Sequence, residues 1–179
     1  MKPALSALSA LALVLACTDT NAPTPTSAGD LATGGINASV NSGNGVLNKV
    51  SVGGSDQDVT LNTDANFSLT AIQYGDGSVA GEWSDQFGQG QGGVHVDVNC
   101  LVVQGNQAWI GGIIRSGSTG VGGVDLSGLA ALTRVVDIGK SANDAPDLIS
   151  FTFIGLAVQC TARPNLPLFA MSGGQVTVN

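Results

Sequence analysis

The side chains best suited to chemistry lie in one stretch of this 179-residue sequence, VHVDVNCLVV at Val94–Val103. The stretch holds the only histidine of the chain, His95, together with Asp97 and one of three cysteines, Cys100. Imidazole, carboxylate and thiolate groups bind metals and act as bases or nucleophiles in proteins. The stretch therefore raises the question of whether it forms a metal site, a catalytic site or neither.

The sequence holds too few suitable side chains for a metal site or a catalytic site. A closed zinc site needs about four ligands, and one histidine with scattered carboxylates does not supply them. A triad of Ser84, His95 and Asp97 has suitable types, but His95 and Asp97 would project from one strand about 6.5 Å apart, and no nucleophile elbow precedes them. We therefore predict no catalytic residue, no bound metal and no cofactor.

The spacing of the stretch instead predicts a β-strand with one face in solvent. His95, Asp97 and Asn99 fall on the polar phase of the alternation. The apolar phase consists of Val94, Val96, Val98, Cys100 and Val102. Centring a hairpin on the glycine-rich loop 88–93 pairs Gln86 with His95, Ser84 with Asp97 and Glu82 with Asn99.

Two further polar features have alternative interpretations. A cleft that gathered Glu82, His95, Asp97 and Arg115 would favour a hydrolase or isomerase over a solvated face. The acidic turn NDAPD at Asn143–Asp147 offers oxygen ligands for calcium. It lacks the spacing and the closing glutamate of an EF-hand loop, so we predict an ordinary turn.

Composition indicates an all-β domain and excludes some partners. The chain has 13 acidic and 6 basic residues and a net charge of −7, and it lacks a basic stripe for nucleic acid. The same charge argues against electrostatic docking on anionic lipid. Valine, threonine, isoleucine, glycine and asparagine are typical of strands and turns.

From about residue 34 onward, the pattern is one of short strands separated by turns. We expect about eight or nine antiparallel strands in a β-barrel or β-sandwich. Residues 148–160 predict one long apolar strand, and residues 116–128 a glycine-rich excursion. Trp83 and Trp109 are expected to anchor the core, or to line a ligand pocket if a barrel is hollow.

The N-terminus has the features of an export signal. Lys2 precedes the apolar segment Ala4–Ala16, which is too short to span a membrane as a helix. The segment ends in VLAC, Val14–Cys17, and resembles the lipobox of bacterial lipoproteins, although Leu15 occupies a position that is usually smaller. The resemblance implies cleavage before Cys17 and lipidation of that cysteine, with an ordinary soluble export signal as the alternative.

The lipobox resemblance also implies a location and a membrane partner. The lipid chains on Cys17 would hold the protein on the cell envelope. Thr18 stands where an aspartate commonly signals retention at the inner membrane, so its presence favours the outer membrane. We expect a signal peptide over residues 1–16, a lipidated and disordered linker over 17–33, and a single β-domain over 34–179.

Lipidation of Cys17 leaves Cys100 and Cys160 as a possible disulfide. Both lie in predicted strands, and the compartments beyond the inner membrane permit disulfides. The alternative is a pair of buried free thiols. A catalytic cysteine is disfavoured because no second histidine and no basic neighbour are at hand to lower the pKa of a thiol.

The body of the chain resembles an uncharacterised group of exported bacterial β-domains. The resemblance rests on FSLTAIQYGDGSVAGEW, then VHVDVNCLVVQGNQAWIGGII, then VVDIGKSANDAPDLISFTF and a late cysteine, and it covers about residues 66–160. The region after IGG is more glycine-rich here than in that group. The resemblance implies a β fold and no known activity.

We therefore expect a lipid-anchored envelope protein whose β-domain has a structural or interaction role. The alternative is a lipocalin-like barrel that binds a small apolar ligand. An enzymatic activity is not indicated, and the sequence does not identify a protein partner or a ligand.

Overall fold

The structure is a computed structural model that describes residues 45–58, 63–88, 92–120, 122–141, 143–155 and 159–179. Within them the chain forms ten β-strands, the 3₁₀ turn Cys160–Ala162 and no α-helix. The strands are β1 Val46–Asp58, β2 Thr63–Tyr74, β3 Val79–Gln86, β4 Gly92–Gln104, β5 Gln107–Thr119, β6 Ala130–Val136, β7 Leu148–Ile149, β8 Phe153–Ile154, β9 Phe169–Ala170 and β10 Gly173–Val178.

All ten strands belong to one antiparallel sheet that curls into a half-barrel. Its order is β10-β1-β2-β3-β4-β5-β6-β7-β9, and β8 pairs with β6 beside β7. Consecutive strands from β1 to β7 are neighbours, as is common for strands that follow one another along the chain. The predicted all-β, barrel-like fold is confirmed, with one or two more strands than expected because the C-terminal third contributes several two-residue strands.

The C-terminal segment joins the two edges of the sheet. β9 pairs with β7, and β10 pairs with β1 from Val50–Val178 to Ser55–Gly173. Between them, the Met171 N–H donates to Asp147 O at 2.9 Å, and the Ser172 N–H donates to Ser55 O at 3.0 Å. The segment therefore turns a corner from one edge to the other, as strands do where barrels close.

The main core fills the concave face of the sheet. Its members come from strands across the whole sheet, and Trp83, Leu69 and Ile110 are its largest fully buried side chains. Alternation fixes this face, since Val94, Val96 and Val98 are buried while His95 and Asp97 are exposed. A second, smaller cluster lies on the convex face and consists of Trp109, Leu132, Cys160 and Leu166, with Cys100, Val102 and Phe153 packed against it.

A β-bulge in β4 corrects the predicted phase of Cys100. Val98 pairs with Gly112 and Cys100 with Gly111, so Asn99 is an extra residue in β4. An extra residue moves every later side chain to the opposite face. Leu101 therefore joins the main core, while Cys100 and Val102 pack on the convex face and not with the preceding valines.

Beside the bulge, the two strands approach each other closely at Gly112. A Cβ atom at Gly112 would lie 2.7 Å from Val96 Cγ1 and 2.9 Å from the carbonyl carbon of Asp97. No side chain fits so close to the facing strand.

Two other expectations about the strands were wrong. Residues 148–160 do not form one long strand, because they contain β7, β8 and then the 3₁₀ turn that begins at Cys160. Cys160 therefore lies in a turn. The start of the predicted glycine-rich excursion, residues 116–119, belongs to β5, which continues to Thr119.

The predicted signal peptide, Cys17 and the linker to residue 33 lie outside the described residues. Within the described residues, no helix is long and apolar enough to cross a membrane.

Candidate functional site

The polar residues around His95 lie on the exposed convex face of β3, β4 and β5. Ser84 pairs with His95, and Glu82 pairs with Asp97. The predicted hairpin register was wrong by two residues, because Gly92 and Gly93 belong to β4 and shorten the loop. A shift of two keeps each side chain on its predicted face, since side chains alternate with a period of two.

Arg115 lies on the same polar face, because it follows the buried Ile114 on β5. Its guanidinium Nη1 lies 3.1 Å from Asp97 Oδ1, and the two side chains are 55% and 58% exposed. Exposed ion pairs of this kind contribute about 0–1 kcal/mol. Glu82, His95, Asp97 and Arg115 thus share an open sheet face, with no enclosing wall among the described residues that would exclude water from a reaction.

Cys100 and Cys160 form a disulfide, as predicted. Their Cα atoms are 6.1 Å apart, and the bridge joins residues separated by 60 positions. Cys160 is 1% exposed and packs against the convex cluster. The bridge therefore fastens a C-terminal segment to the outside of the sheet.

Residues 159–168, called here the strap, cover the convex cluster. The Trp109 Nε1–H donates to Pro164 O at 2.9 Å, and Arg134 Nη1 donates to Asn165 Oδ1 at 2.9 Å. Leu166 of the strap is buried in the convex cluster. These contacts explain why a proline-rich segment lies on the sheet face and not in the sheet, where proline would remove ladder hydrogen bonds.

Arg134 is the central side chain under the strap. Its guanidinium carbon lies 5.1 Å from the centre of the Trp109 ring, a cation–π contact. Its Nη2 also donates to Gln107 Oε1 at 2.6 Å. Sequence analysis did not single out Arg134, and only its position opposite Trp109 in the β5–β6 ladder gives it this role.

The two tryptophans proposed as a possible ligand pocket do not meet. Trp83 lies in the main core, with its ring centre 6.0 Å from that of Phe67, whereas Trp109 lies on the convex face. Trp83 is 1% exposed, and its Nε1 has no hydrogen-bond partner within the described part of the chain. The structure therefore places one indole in each cluster, on opposite faces of the sheet.

A buried carboxylate on the concave face was missed by sequence analysis. Asp85 is 7% exposed and accepts a hydrogen bond from the Thr152 hydroxyl. It follows Trp83 by two positions and so shares its face. The alternation around Trp83 contained the signal, because an aspartate on the apolar phase of a strand requires a polar partner.

Asp147 of the acidic turn joins the C-terminal strand to the opposite edge of the sheet. Its Oδ1 accepts the N–H groups of Ile138 at 2.7 Å and Gly139 at 3.1 Å, and its Oδ2 accepts that of Val176 at 2.6 Å. Asp137 Oδ2 accepts the Val178 N–H at 3.1 Å. Two carboxylates therefore hydrogen-bond the edge of β10. The gap that Asp137 and Asp147 bridge between this edge and their own segment is called here the seam.

The other aspartate of the turn is also engaged. Asp144 Oδ2 accepts the N–H groups of Lys140 and Ser141, both at 2.9 Å. These bonds hold the pKa of Asp144 below its ordinary value of 3.8. Both carboxylates of the turn thus bond backbone donors. No group of three or more metal-ligating side chains capable of holding a metal ion is present in the described ranges.

A cleft of about 900 Å³ opens beside the seam. One wall carries glycines of β1 and β10, Gly53 and Gly173, and the other carries the turn with Lys140. Met171 also lines it and is buried. Neither Trp83 nor Trp109 lines the cleft, which lies at the edge of the sheet.

These features define an all-β, disulfide-bonded domain with an open polar face, a strap and a seam cleft. Comparison with protein-family models, with curated proteins and with solved structures found no match to this chain.

Proposed function

We propose that this chain is a lipid-anchored cell-envelope protein whose β-domain has a structural or interaction role. The single observation that carries the proposal is the Cys100–Cys160 disulfide. Disulfides persist in oxidising compartments outside the cytoplasm, and the VLAC sequence at Val14–Cys17 is of the kind that directs export and lipidation. An anchored domain with exposed polar faces suits contact with other envelope components.

Lipidation supplies the membrane partner in this proposal. Each buried methylene contributes about 0.8 kcal/mol, so two or three acyl chains on Cys17 hold a protein stably on a bilayer. Thr18 after the cysteine favours the outer membrane.

Replacement of Cys17 tests the anchor in the full-length chain. We expect wild type to enter the detergent phase on phase separation and Cys17→Ser to remain in the aqueous phase, because its acyl chains are missing. Mass spectrometry of wild type should show the mass of the lipid on the N-terminal peptide. Cys160→Ser is the matched control, since it also loses a cysteine and should stay in the detergent phase. Equal partitioning of Cys17→Ser and wild type would refute the anchor.

A substitution at Thr18 tests separately whether the protein lies in the inner or the outer membrane. Thr18→Asp should move the protein from the outer to the inner membrane fraction on a density gradient, while Thr18→Ser should not. A wild-type protein found in the inner membrane fraction would contradict the proposed location.

The seam cleft supports small-ligand binding as a second candidate function. Its volume of about 900 Å³ lies within the range of ligand pockets, about 300–1,000 Å³. Unlike the lumen of a lipocalin-like barrel, it is lined by glycines and polar groups with Met171. Native mass spectrometry of protein purified from its own envelope should reveal a bound molecule, and Gly53→Trp, which fills the cleft, should remove it. Finding no adduct on the wild-type protein would reject this role.

A further inference from the structure

The strap covers the convex cluster but is separate from the main core. No strap residue that the structure describes belongs to the main core, which is built from the sheet and the segments next to it. The convex cluster, by contrast, takes two of its four buried members, Cys160 and Leu166, from the strap. The loss of strap contacts therefore removes part of the small cluster and leaves the main core intact.

The attachment of the strap depends heavily on the disulfide. Cys160 and Leu166 are its two buried residues, while Thr161, Ala162 and Arg163 are exposed. The other contacts are a few hydrogen bonds to side chains of the sheet. Trp109 and Arg134 donate to the strap, and Arg163 of the strap donates to Gln104. A segment with so little buried apolar surface opens readily when a covalent tie is removed.

Backbone conformation adds to this tendency. Arg163 has φ 48° and ψ 55°, the left-handed region that is unfavourable for residues other than glycine. Its N–H donates to Cys160 O at 3.0 Å, which closes the 3₁₀ turn behind the disulfide. Release of the strap would relieve this strain.

We propose that the Cys100–Cys160 disulfide makes the strap a redox-controlled cover over Trp109. A dithiol reductant attacks the disulfide at Cys100, because Cys100 is half-buried whereas Cys160 is 1% exposed. A thiolate of the reductant forms a mixed disulfide with Cys100 and releases the Cys160 thiolate, which takes up a proton. The second thiolate of the reductant then resolves the mixed disulfide, so the protein gains two electrons and two protons and the dithiol becomes a disulfide.

In the reduced protein the strap leaves the convex face while the sheet stays folded. Trp109, Leu132 and Val102 then become accessible as an apolar patch on β4, β5 and β6. Trp83 stays in the main core. The two tryptophans thus report separately on the strap and on the sheet.

Acrylamide quenching of two single-tryptophan full-length variants tests this proposal. Trp83→Phe retains Trp109, and Trp109→Phe retains Trp83, because the chain has only these two tryptophans. We expect dithiothreitol to raise the quenching constant of Trp109 several-fold and to leave that of Trp83 unchanged. In the Trp83→Phe background, the double variant Cys100→Ser/Cys160→Ser should show the high Trp109 quenching with or without reductant.

Either of two other results would overturn the proposal. Unchanged quenching of Trp109 after complete reduction, verified by thiol alkylation, would mean that the strap stays in place without the disulfide. Increased quenching of both tryptophans would mean that reduction unfolds the sheet as well.

Discussion

At the scale of single residues, the two tryptophans show that the same type of side chain contributes differently to stability on the two faces of one sheet. Trp83 is more buried, but its indole N–H lacks a partner among the described residues. A buried donor left without a partner costs about 1–3 kcal/mol. Trp109 donates to Pro164 O and lies under the Arg134 guanidinium. The more buried indole, that of Trp83, is therefore not the one that contributes more polar stabilisation.

We expect Trp109→Phe to lower the free energy of unfolding by about 2 kcal/mol, because it removes a hydrogen bond and weakens a cation–π contact. Trp83→Phe should cost less than about 1 kcal/mol, since the loss of the unpaired N–H offsets the lost apolar contact. Urea denaturation followed by circular dichroism measures both values. A larger loss for Trp83→Phe would show that its N–H is satisfied.

His95 illustrates the opposite case, an unusual residue in an ordinary place. It is exposed on β4 opposite Ser84 and Ser116. We expect His95→Ala to change the free energy of unfolding by less than about 0.5 kcal/mol, as at other surface positions. A loss of about 2 kcal/mol or more in urea denaturation would mean that the imidazole makes a buried contact.

At the scale of elements, the seam shows how carboxylates substitute for a strand. Asp147 and Asp137 accept the N–H groups of Val176 and Val178, two positions apart on β10. Successive outward N–H groups on a strand edge recur every two residues, and the carbonyl groups of a neighbouring strand would accept them. Side chains of the segment after β6 do so here.

We expect Asp147→Asn to lower the free energy of unfolding by about 2–3 kcal/mol, because its amide NH₂ opposes backbone donors and a buried N–H loses its acceptor. Asp144→Asn is the matched control, since Asp144 lies in the same turn but is exposed. It should cost clearly less. Comparable losses of unfolding free energy for the two variants would show that the hydrogen bonds of Asp147 at the seam contribute no more than those of Asp144 within the turn.

Three exposed turns give the fold a defined response to acid. Hydrogen bonds from Ser78, Ser127 and Lys140 lower the pKa values of Asp76, Asp125 and Asp144 respectively below 3.8. A carboxyl whose folded pKa is lowered stabilises the fold above its unfolded pKa, and this contribution is lost as pH falls through the folded pKa.

The urea midpoint should therefore fall between pH 6 and pH 3, and the change should be smaller when all three aspartates are replaced by asparagine. The effect is modest because all three groups are exposed to solvent. An equally steep decline in the triple variant would assign the acid sensitivity to other carboxylates.

At the scale of the whole molecule, the disulfide stabilises the fold mainly through the unfolded chain. Closing a loop of 60 positions corresponds to about 4 kcal/mol in the chain-entropy estimate. We expect Cys100→Ser/Cys160→Ser to lower the free energy of unfolding by up to about 4 kcal/mol in urea denaturation. Cys17→Ser should leave it unchanged, and a loss in that variant would contradict the assignment of the stabilising pair.

The sequence predicted the fold class and the cysteine pair because both depend on short-range patterns and on residue type. The alternation around Val94–Val98 placed His95 and Asp97 on the exposed face, and even a hairpin register wrong by two residues left that result unchanged. The bulge at Asn99 was not predicted, because an extra residue is visible only in the pairing with β5. The position of Cys100 on the convex face depends on that bulge.

The seam and the strap were beyond prediction for a related reason. Asp147 bonds Val176, and Trp109 bonds Pro164, so both contacts join residues that only the folded chain brings together. An acidic turn and a proline-rich segment have the same composition whether they face solvent or a neighbouring strand. Their role is therefore fixed by topology and not by local preference.

The pairing of the first and last strands sets the order in which this fold can be completed. Ser172 bonds to Ser55, 117 residues earlier in the chain, and β10 then pairs along β1. During synthesis from the N-terminus, β1 is available long before its second neighbour exists. One edge of β1 must stay unpaired until the C-terminal residues arrive, and such distant pairings make folding slow, on the order of milliseconds to seconds. Throughout that interval Gly53 and Gly54 stand on the open edge, where their low strand propensity disfavours pairing with other chains.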